Sequence, residues 1–321
     1  MPFSISFDKR DLKKLHEYFD KIIESNKWTE GYFTELFENK WSEYNNLESA
    51  AFSSWAGAAI AAMEFFELKG KTVLCPSNTF MATPLAILKA GAKIQFVDCN
   101  KFDLCMSFDD MKAKAEKYKP AAVWVVHIGG HIAYEIEKIA EYCKQKGIIL
   151  LEDCAHSHGA EWKDKKAGQW GDAGVYSFYA TKTITTGEGG MLVTNNKNLV
   201  EFAKKYRNYG KFDYKIRGLN FRITEFSAAI GVIQTERLKD IIEFKNDYAL
   251  KLDTQYSNRV KLPEGMVSGY YKYIVFDEIS NSTGKVYDEP CHRILKHNVD
   301  LPNSDWVAKN HWCVPIYYQT K

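Results

Sequence analysis

The run Ile148-Ile149-Leu150-Leu151-Glu152-Asp153-Cys154-Ala155-His156 decides the fold. Four apolar residues in a row end on two carboxylates. Bounded this way, the run reads as a short strand, Ile148–Glu152, buried on both faces. Moving toward the N-terminus, Ile136–Lys146 reads as a helix, Ala121–His127 as a strand and Phe108–Tyr118 as a helix. Lys93–Val97 then reads as a strand, Thr83–Ala90 as a helix and Thr72–Cys75 as a strand. Toward the C-terminus, Gly174–Phe178 and Gly190–Thr194 read as strands and Asn198–Tyr206 as a helix. Short apolar strands separated by amphipathic helices predict an α/β fold: three αβα layers around a mostly parallel sheet.

The flanks are different. Leu12–Ser25 places apolar residues at 12, 15, 19, 22 and 23, one helical face. A loop around Trp28–Tyr32 leads to a helix over Phe33–Tyr44. Ser53-Ser54 precedes an Ala-rich helix, with Gly70 as its expected stop. Glu225–Leu238 opens a long helix that can continue to Tyr256. Beyond about residue 245 the pattern turns to Tyr, Pro and short β-like runs. The chain therefore reads as a large unit, 1–240, and a small C-terminal α+β unit, 241–321.

Composition limits what such a chain does. It has 321 residues, of which 45% are apolar and 26% charged. At this length about 75% of the unfolded surface can be buried, so no disulfide or metal staple is needed. Lys plus Arg is 43 against 41 Asp plus Glu, a formal charge of +2. That is no basic field for nucleic acid or anionic lipid. No apolar run approaches the roughly 18 residues of a membrane span. The opening residues show no basic-then-apolar leader. The seven cysteines are an odd number, scattered and without a CxxC pair. Reduced thiols in a cytoplasm fit that pattern.

In parallel sheets, ligands sit beyond the carboxyl ends of the strands. Three predicted strand ends carry useful groups. Asp153 and His156 follow the first, Lys182 follows Gly174–Phe178, and Phe80 follows Thr72–Cys75. A lysine removed from water has a lowered pKa and can act as a nucleophile. Pyridoxal phosphate (PLP) needs such an amine, an acid for its ring nitrogen and donors for its phosphate. Taken alone, Lys182 is a surface lysine and Asp153 a turn aspartate. It is the set that points to chemistry.

That set resembles a known family. Glu152-Asp153-Cys154-Ala155-His156-Ser157-His158-Gly159-Ala160 is similar to the "EDxAxxxGA" block of the DegT/StrS family of PLP-dependent sugar aminotransferases. Gly171-Asp172 through Ser177-Phe178 to Lys182 resembles its "GD…SF…K" segment. Thr185–Gly190 continues as "TxGEGG", and Gly218–Ala229 resembles "GxNxRxTExxAA". Order and spacing agree from about residue 28 to 240.

The resemblance implies the aspartate-aminotransferase type of fold and a homodimer with shared active sites. It implies Lys182 as the residue that carries pyridoxal 5'-phosphate and Asp153 as the partner of the pyridine nitrogen. It implies Phe80 stacked on the ring, His156 near the phenolic oxygen and Ser177 on the phosphate. Asn220 would reach the phosphate of the partner subunit. An amino acid, L-glutamate in this family, would donate the amino group, and a keto-sugar, nucleotide-linked, would accept it. Where the family opens a helix with Gly-Thr, this chain has Trp55-Ala56 after Ser53-Ser54. The phosphate would still meet the amides of Trp55 and Ala56 at the helix start. Trp55 either adds bulk to the pocket or packs inside. His311 and Trp312 in the small unit are candidates for substrate contact.

Other readings compete. Cys154, His156 and His158 would share a face if extended, as zinc ligands can, but no fourth ligand stands at a familiar spacing, and no metal is expected. Residues 201–222 interleave basic and aromatic side chains, for example Lys204, Arg207, Tyr209, Phe212 and Arg222. They suit a solvated face, a nucleotide diphosphate or, least, single-stranded nucleic acid. A regulator that binds PLP or a sugar without turnover is the alternative of another class. An aminotransferase for a small phosphorylated ketone is the alternative within the class.

Overall fold

The computed structural model describes residue 5 and residues 7–318. The leader reading rests partly on residues 1–4 and 6, which lie outside the described residues, as do the last three residues of the small unit. Helices α1 (Leu12–Ser25) and α2 (Tyr32–Asn45) lead to strand β1 (Glu48–Phe52) and helix α3 (Trp55–Phe65). Then follow β2 (Thr72–Pro76), α4 (Ala82–Lys89), β3 (Lys93–Val97), α5 (Phe108–Tyr118), β4 (Ala122–Val126), α6 (Ile136–Lys146) and β5 (Ile149–Asp153). A hairpin of β6 (Glu161–Trp162) and β7 (Lys165–Lys166) precedes β8 (Ala173–Ser177), β9 (Gly190–Thr194) and α7 (Lys197–Tyr206). The chain continues through α8 (Glu225–Asp253), β10 (Tyr273–Val275), α9 (Cys291–Ile294), α10 (Pro302–Lys309) and β11 (Trp312–Val314).

Seven strands form one sheet in the order β1-β9-β8-β5-β4-β2-β3. From β8 to β3 every neighbouring pair is parallel, and β9 runs against both β8 and β1. All five residues of β4, β8 and β9 are buried. That is possible only with helices on both faces, so the three-layer α/β architecture is as expected. β10 and β11 pair separately as a small antiparallel sheet.

Two local features differ from expectation. Strand β1 was not foreseen: Glu48-Ser49-Ala50-Ala51-Phe52 is small and non-alternating, because four of its five residues are buried. Gly70 does not stop α3. The helix ends at Phe65, Glu67 takes the left-handed conformation (φ 53°), and Gly70 bonds to the Gly91 carbonyl in a later turn. Helix α8 runs unbroken from Glu225 to Asp253, the long helix expected there, and residue 240 lies within it.

Two acids that look like site residues hold this scaffold instead. Glu225 opens α8, and its carboxylate accepts from the amides of Gly31, Phe33 and Thr34 at 3.0, 2.7 and 3.0 Å. It caps the start of α2, whose first amides have no partner within the helix. Glu152 accepts from the amides of Gly168, Trp170 and Gly171 at 2.8, 2.7 and 2.6 Å, and meets His127 Nε2 at 2.9 Å. It ties the 168–171 loop under the sheet.

Candidate active site

The strand directions bring the predicted groups to one edge. β2, β5 and β8 end there with Pro76, Asp153 and Ser177, and β1, parallel to β8, ends there with Phe52. The segments that follow carry Phe80, His156, Lys182 and the start of α3.

Asp153 is the last residue of β5 and is 4% exposed. Its neighbour Glu152 points to the opposite side, as alternation along a strand requires. Asp153 Oδ2 accepts from Thr83 Oγ1 at 2.9 Å and Oδ1 from the Ala155 amide at 3.0 Å. Burial pushes its pKa above the usual carboxylate value, against the opposing pull of those bonds and of the Lys182 charge. A buried carboxylate in this state favours a cationic partner.

Lys182 lies in the loop after β8, its ammonium 4.7 Å from the centroid of the Tyr271 ring. Removal from water pushes its pKa down to about 8. Asp153 pulls the other way, and Lys272 adds to the fall. His156 lies tilted against the same tyrosine, centroids 4.2 Å apart, and stacks with Tyr287 at 6.1 Å. Burial first, then the charge of Lys182, hold His156 well below its ordinary pKa. It is a neutral imidazole, and its Nδ1 accepts from the Gly129 amide at 3.4 Å.

An anion cradle lies beside these groups. Ser177 pairs with Gly190 across β8 and β9, and Gly190 pairs with Phe52 of β1. Ser177 is 7% exposed, and its Oγ accepts from the Tyr179 amide at 3.4 Å. A Cβ on Gly190 would lie 2.4 Å from the Ser54 carbonyl oxygen, so only glycine lets β9 pass the start of α3. Ser54 caps that helix through the Gly57 amide. Among the described residues, the amides of Trp55 and Ala56 have no protein acceptor, as an anion-binding helix start requires. The Trp55 side chain takes the packing alternative. It is 6% exposed, lies 5.5 Å from Trp124 and donates to the Val175 carbonyl at 3.1 Å.

Phe80 stands just before α4, one turn ahead of Thr83, and is 64% exposed. Asn220 is exposed, and its Oδ1 accepts from the Arg222 amide at 3.2 Å. The next residue, Phe221, accepts from the Ser53 amide at 2.7 Å, which brings this loop to the approach of α3. The structure thus gathers Asp153, His156 and Lys182 directly, and Ser177 with the α3 amides beside them. It leaves Phe80 and Asn220 on the outside. Of the small-unit candidates, His311 is buried in bonds to Val307 and Val286, and Trp312 lies on β11.

The residues fit pyridoxal phosphate. A buried carboxylate lies near enough to a lowered-pKa amine for each to act on the other's charge, and a glycine-lined helix start with free amides lies next to a serine hydroxyl. The zinc reading does not survive. Residues 154–160 turn rather than extend, with Ser157 bonded to Cys154 and Ala160 to Ser157. Among the described residues, Cys154 groups with His127 and Glu152, apart from His156 and His158. His158 packs against Trp41, Tyr176 and Phe178. The basic stretch is partly internal too. Arg207 and Lys204 pair with Glu38, and Arg207 also donates to the Ala51 carbonyl.

Thr83, Tyr271, Tyr287 and Lys272 were not foreseen. Tyr270-Tyr271-Lys272-Tyr273 carried a β-like signal, but nothing in the spacing tied it to the site.

The match to a known family covers residues 10–269, with the family model of the DegT/DnrJ/EryC1/StrS aminotransferases. The GDP-perosamine synthase of Escherichia coli O157:H7 is 34% identical over 245 residues, 74% of this chain and 66% of that enzyme. The UDP-4-amino-4,6-dideoxy-N-acetyl-beta-L-altrosamine transaminase of Campylobacter jejuni strain 81-176 is 28% identical, over 89% of this chain and 79% of its own length. Among solved structures, a DegT/DnrJ/EryC1/StrS aminotransferase from Brucella abortus superposes with a TM-score of 0.90. It covers 96% of this chain and 91% of its own at 22% identity, which establishes likeness of fold. No helix among the described residues is long and apolar enough to cross a membrane.

Proposed function

This chain belongs to the DegT/DnrJ/EryC1/StrS aminotransferase family, and from that premise we propose that it is a PLP-dependent aminotransferase of amino-sugar biosynthesis. It moves the amino group of an amino acid, L-glutamate, to a nucleotide-linked keto-sugar. The observation that carries this is the Lys182 amine, pushed down to about 8 over the Tyr271 ring and under the pull of Asp153.

The cofactor, when bound, supplies a ring that delocalises the charge left when the donor loses its α-proton. The residues of the chain do the rest. Lys182 would hold the cofactor, and its amine, once freed by the donor, would take and return the donor's α-proton. An amine with a pKa near the working pH can both take and return that proton. Asp153 would hold the protonated ring nitrogen, Ser177 and the amides of Trp55 and Ala56 would hold the phosphate, and Phe80 and His156 would offer their side chains to the ring. The smaller unit, which we place from about residue 241, covers the site with Tyr271 and Tyr287.

Transfer in two halves predicts ping-pong kinetics. The protein in its aminated form is expected to regain yellow colour when mixed with the right keto-sugar nucleotide from a panel. Silence across the panel, with colour returned by a small phosphorylated ketone, would replace the sugar acceptor.

The proposal includes a homodimer in the cytoplasm. Tyr209, Phe212, Tyr214 and Leu219 leave 44, 89, 64 and 56% of their surface bare. Exposed apolar side chains clustered in one loop suit a protein interface. Asn220, within that loop, would act on the partner's phosphate. Mixing Asn220→Ala with Lys182→Ala subunits is expected to restore activity through dimers with one intact site. Failure to regain any activity would remove the shared site.

A further inference from the structure

Lys272 is a half-buried cation beside the site, and the function just proposed does not use it. Its segment is fixed from several directions. The Lys272 amide donates to the Gly129 carbonyl at 2.8 Å, and the Gly269 amide to Gly130 at 2.7 Å. A Cβ on Gly130 would lie 2.6 Å from the amide nitrogens of Tyr270 and Tyr271, so the close docking depends on that glycine. From α8, Lys245 Nζ donates to the Tyr270 carbonyl at 2.9 Å, and Asn246 Nδ2 to Ser268 at 2.8 Å. Tyr271 is held at its far end by Thr181, hydroxyl to hydroxyl at 3.1 Å.

This rigid segment sets Lys272 against Lys182. Their ammonium groups lie 5.2 and 4.7 Å from the centroid of one ring, that of Tyr271. Among the described residues, no carboxylate stands within ion-pair distance of Lys272. Its charge nonetheless reaches inward. It weakens proton binding at Lys182, His156 and Lys245. Among the described residues, the amines of Lys182 and Lys272 thus act on the site against the carboxylate of Asp153, and the missing charge is negative.

Resting on the aminotransferase reading, we propose that Lys272 binds the α-carboxylate of the amino-acid donor. The geometry selects this anion over a phosphate. The donor's carboxylate carbon is two bonds, about 2.5 Å, from the nitrogen that displaces Lys182. A residue that binds it must stand close to Lys182, as Lys272 does. The diphosphate of a sugar nucleotide is a whole sugar ring further away, and the cofactor's phosphate has its own cradle at α3. Pairing with a carboxylate also cancels the repulsion that Lys272 exerts on Lys182. The donor thereby raises the proton affinity of the amine that must take its α-proton.

The test compares holoenzyme with Lys272→Met and Lys272→Arg. Dissociation constants are read from the shift of the cofactor spectrum for L-glutamate and for 4-aminobutyrate, which is glutamate without its α-carboxylate. The wild type is expected to prefer glutamate by about 10-fold to 100-fold, the range for a bond to a charged group. Lys272→Met is expected to erase that preference by weakening glutamate alone, with the affinity for the acceptor unchanged. Lys272→Arg is expected to keep it within a few-fold. An unaltered cofactor spectrum in each variant reports an intact site. A preference that survives in Lys272→Met overturns the proposal, as does weakening of the acceptor instead, which would assign Lys272 to its phosphate. A wild type blind to every amino acid is a separate result, and it would bring down the aminotransferase reading along with this one.

Discussion

Lys182→Ala is expected to lose the visible absorption of the holoenzyme and about 10⁴-fold or more of its turnover. Both losses come from one amine. Under that assignment Lys182 both carries the cofactor and moves the α-proton; positioned proton transfer alone contributes about 10²–10⁴-fold. The structure makes a pH signature part of the same result. Uptake of the cofactor needs the neutral amine. With the pKa pushed down from 10.5 to about 8 by burial, the neutral fraction rises steeply up to about pH 8 and levels off above it. The rate of uptake by the wild-type apoprotein is expected to follow that curve. An ordinary exposed lysine would keep rising past pH 10. An alanine variant with the wild-type spectrum would end the assignment of Lys182.

The pair Glu152-Asp153 shows how far a sequence can be read. Both acids lie in the block that carried the family resemblance, and nothing in their order says which does chemistry. The strand decides it. Alternation sends Glu152 to the amides of the 168–171 loop and Asp153 to the site. The same holds for Glu225, whose place in "GxNxRxTExxAA" belongs to a helix cap. The alternating strands and helices were legible because burial on both faces writes continuous apolar runs. β1 was not, because Ser and Ala carry little signal of their own and are buried there by α2 and α3 packed around them. Lys182, Asp153 and His156 could be placed together from strand ends alone. Tyr271 and Lys272 could not, because their approach depends on Gly129 and Gly130 more than 140 positions earlier. No periodicity records a contact of that range.

The contrast between the two acids gives the last expectation its sign. Asp153→Asn is expected to bind cofactor and fold, yet to slow the donor half-reaction by about a hundredfold or more. The amide keeps a carbonyl oxygen for the Ala155 amide, and its NH₂ can donate to Thr83 Oγ1, so both local bonds survive in shape. What goes is the negative charge. A hydrogen bond to a charged group contributes about 1.5–3 kcal/mol, which is about 10-fold to 100-fold. A ring nitrogen left unprotonated also withdraws less charge as the α-proton leaves. Stability should move oppositely in the two forms of the protein. Burial raises the pKa of Asp153 in the folded apoprotein. Folding then favours the protonated acid, and that advantage is lost as pH rises above the unfolded value near 4. Above that value the buried carboxyl therefore costs the apoprotein stability, and asparagine carries no such cost. The apo variant should melt at the same temperature or higher, whereas the rise in Tm on adding cofactor should shrink, since that carboxylate no longer meets a protonated ring. Near-normal rates, or a full thermal gain from the cofactor, would take Asp153 out of the ring's environment and leave the site without its acid.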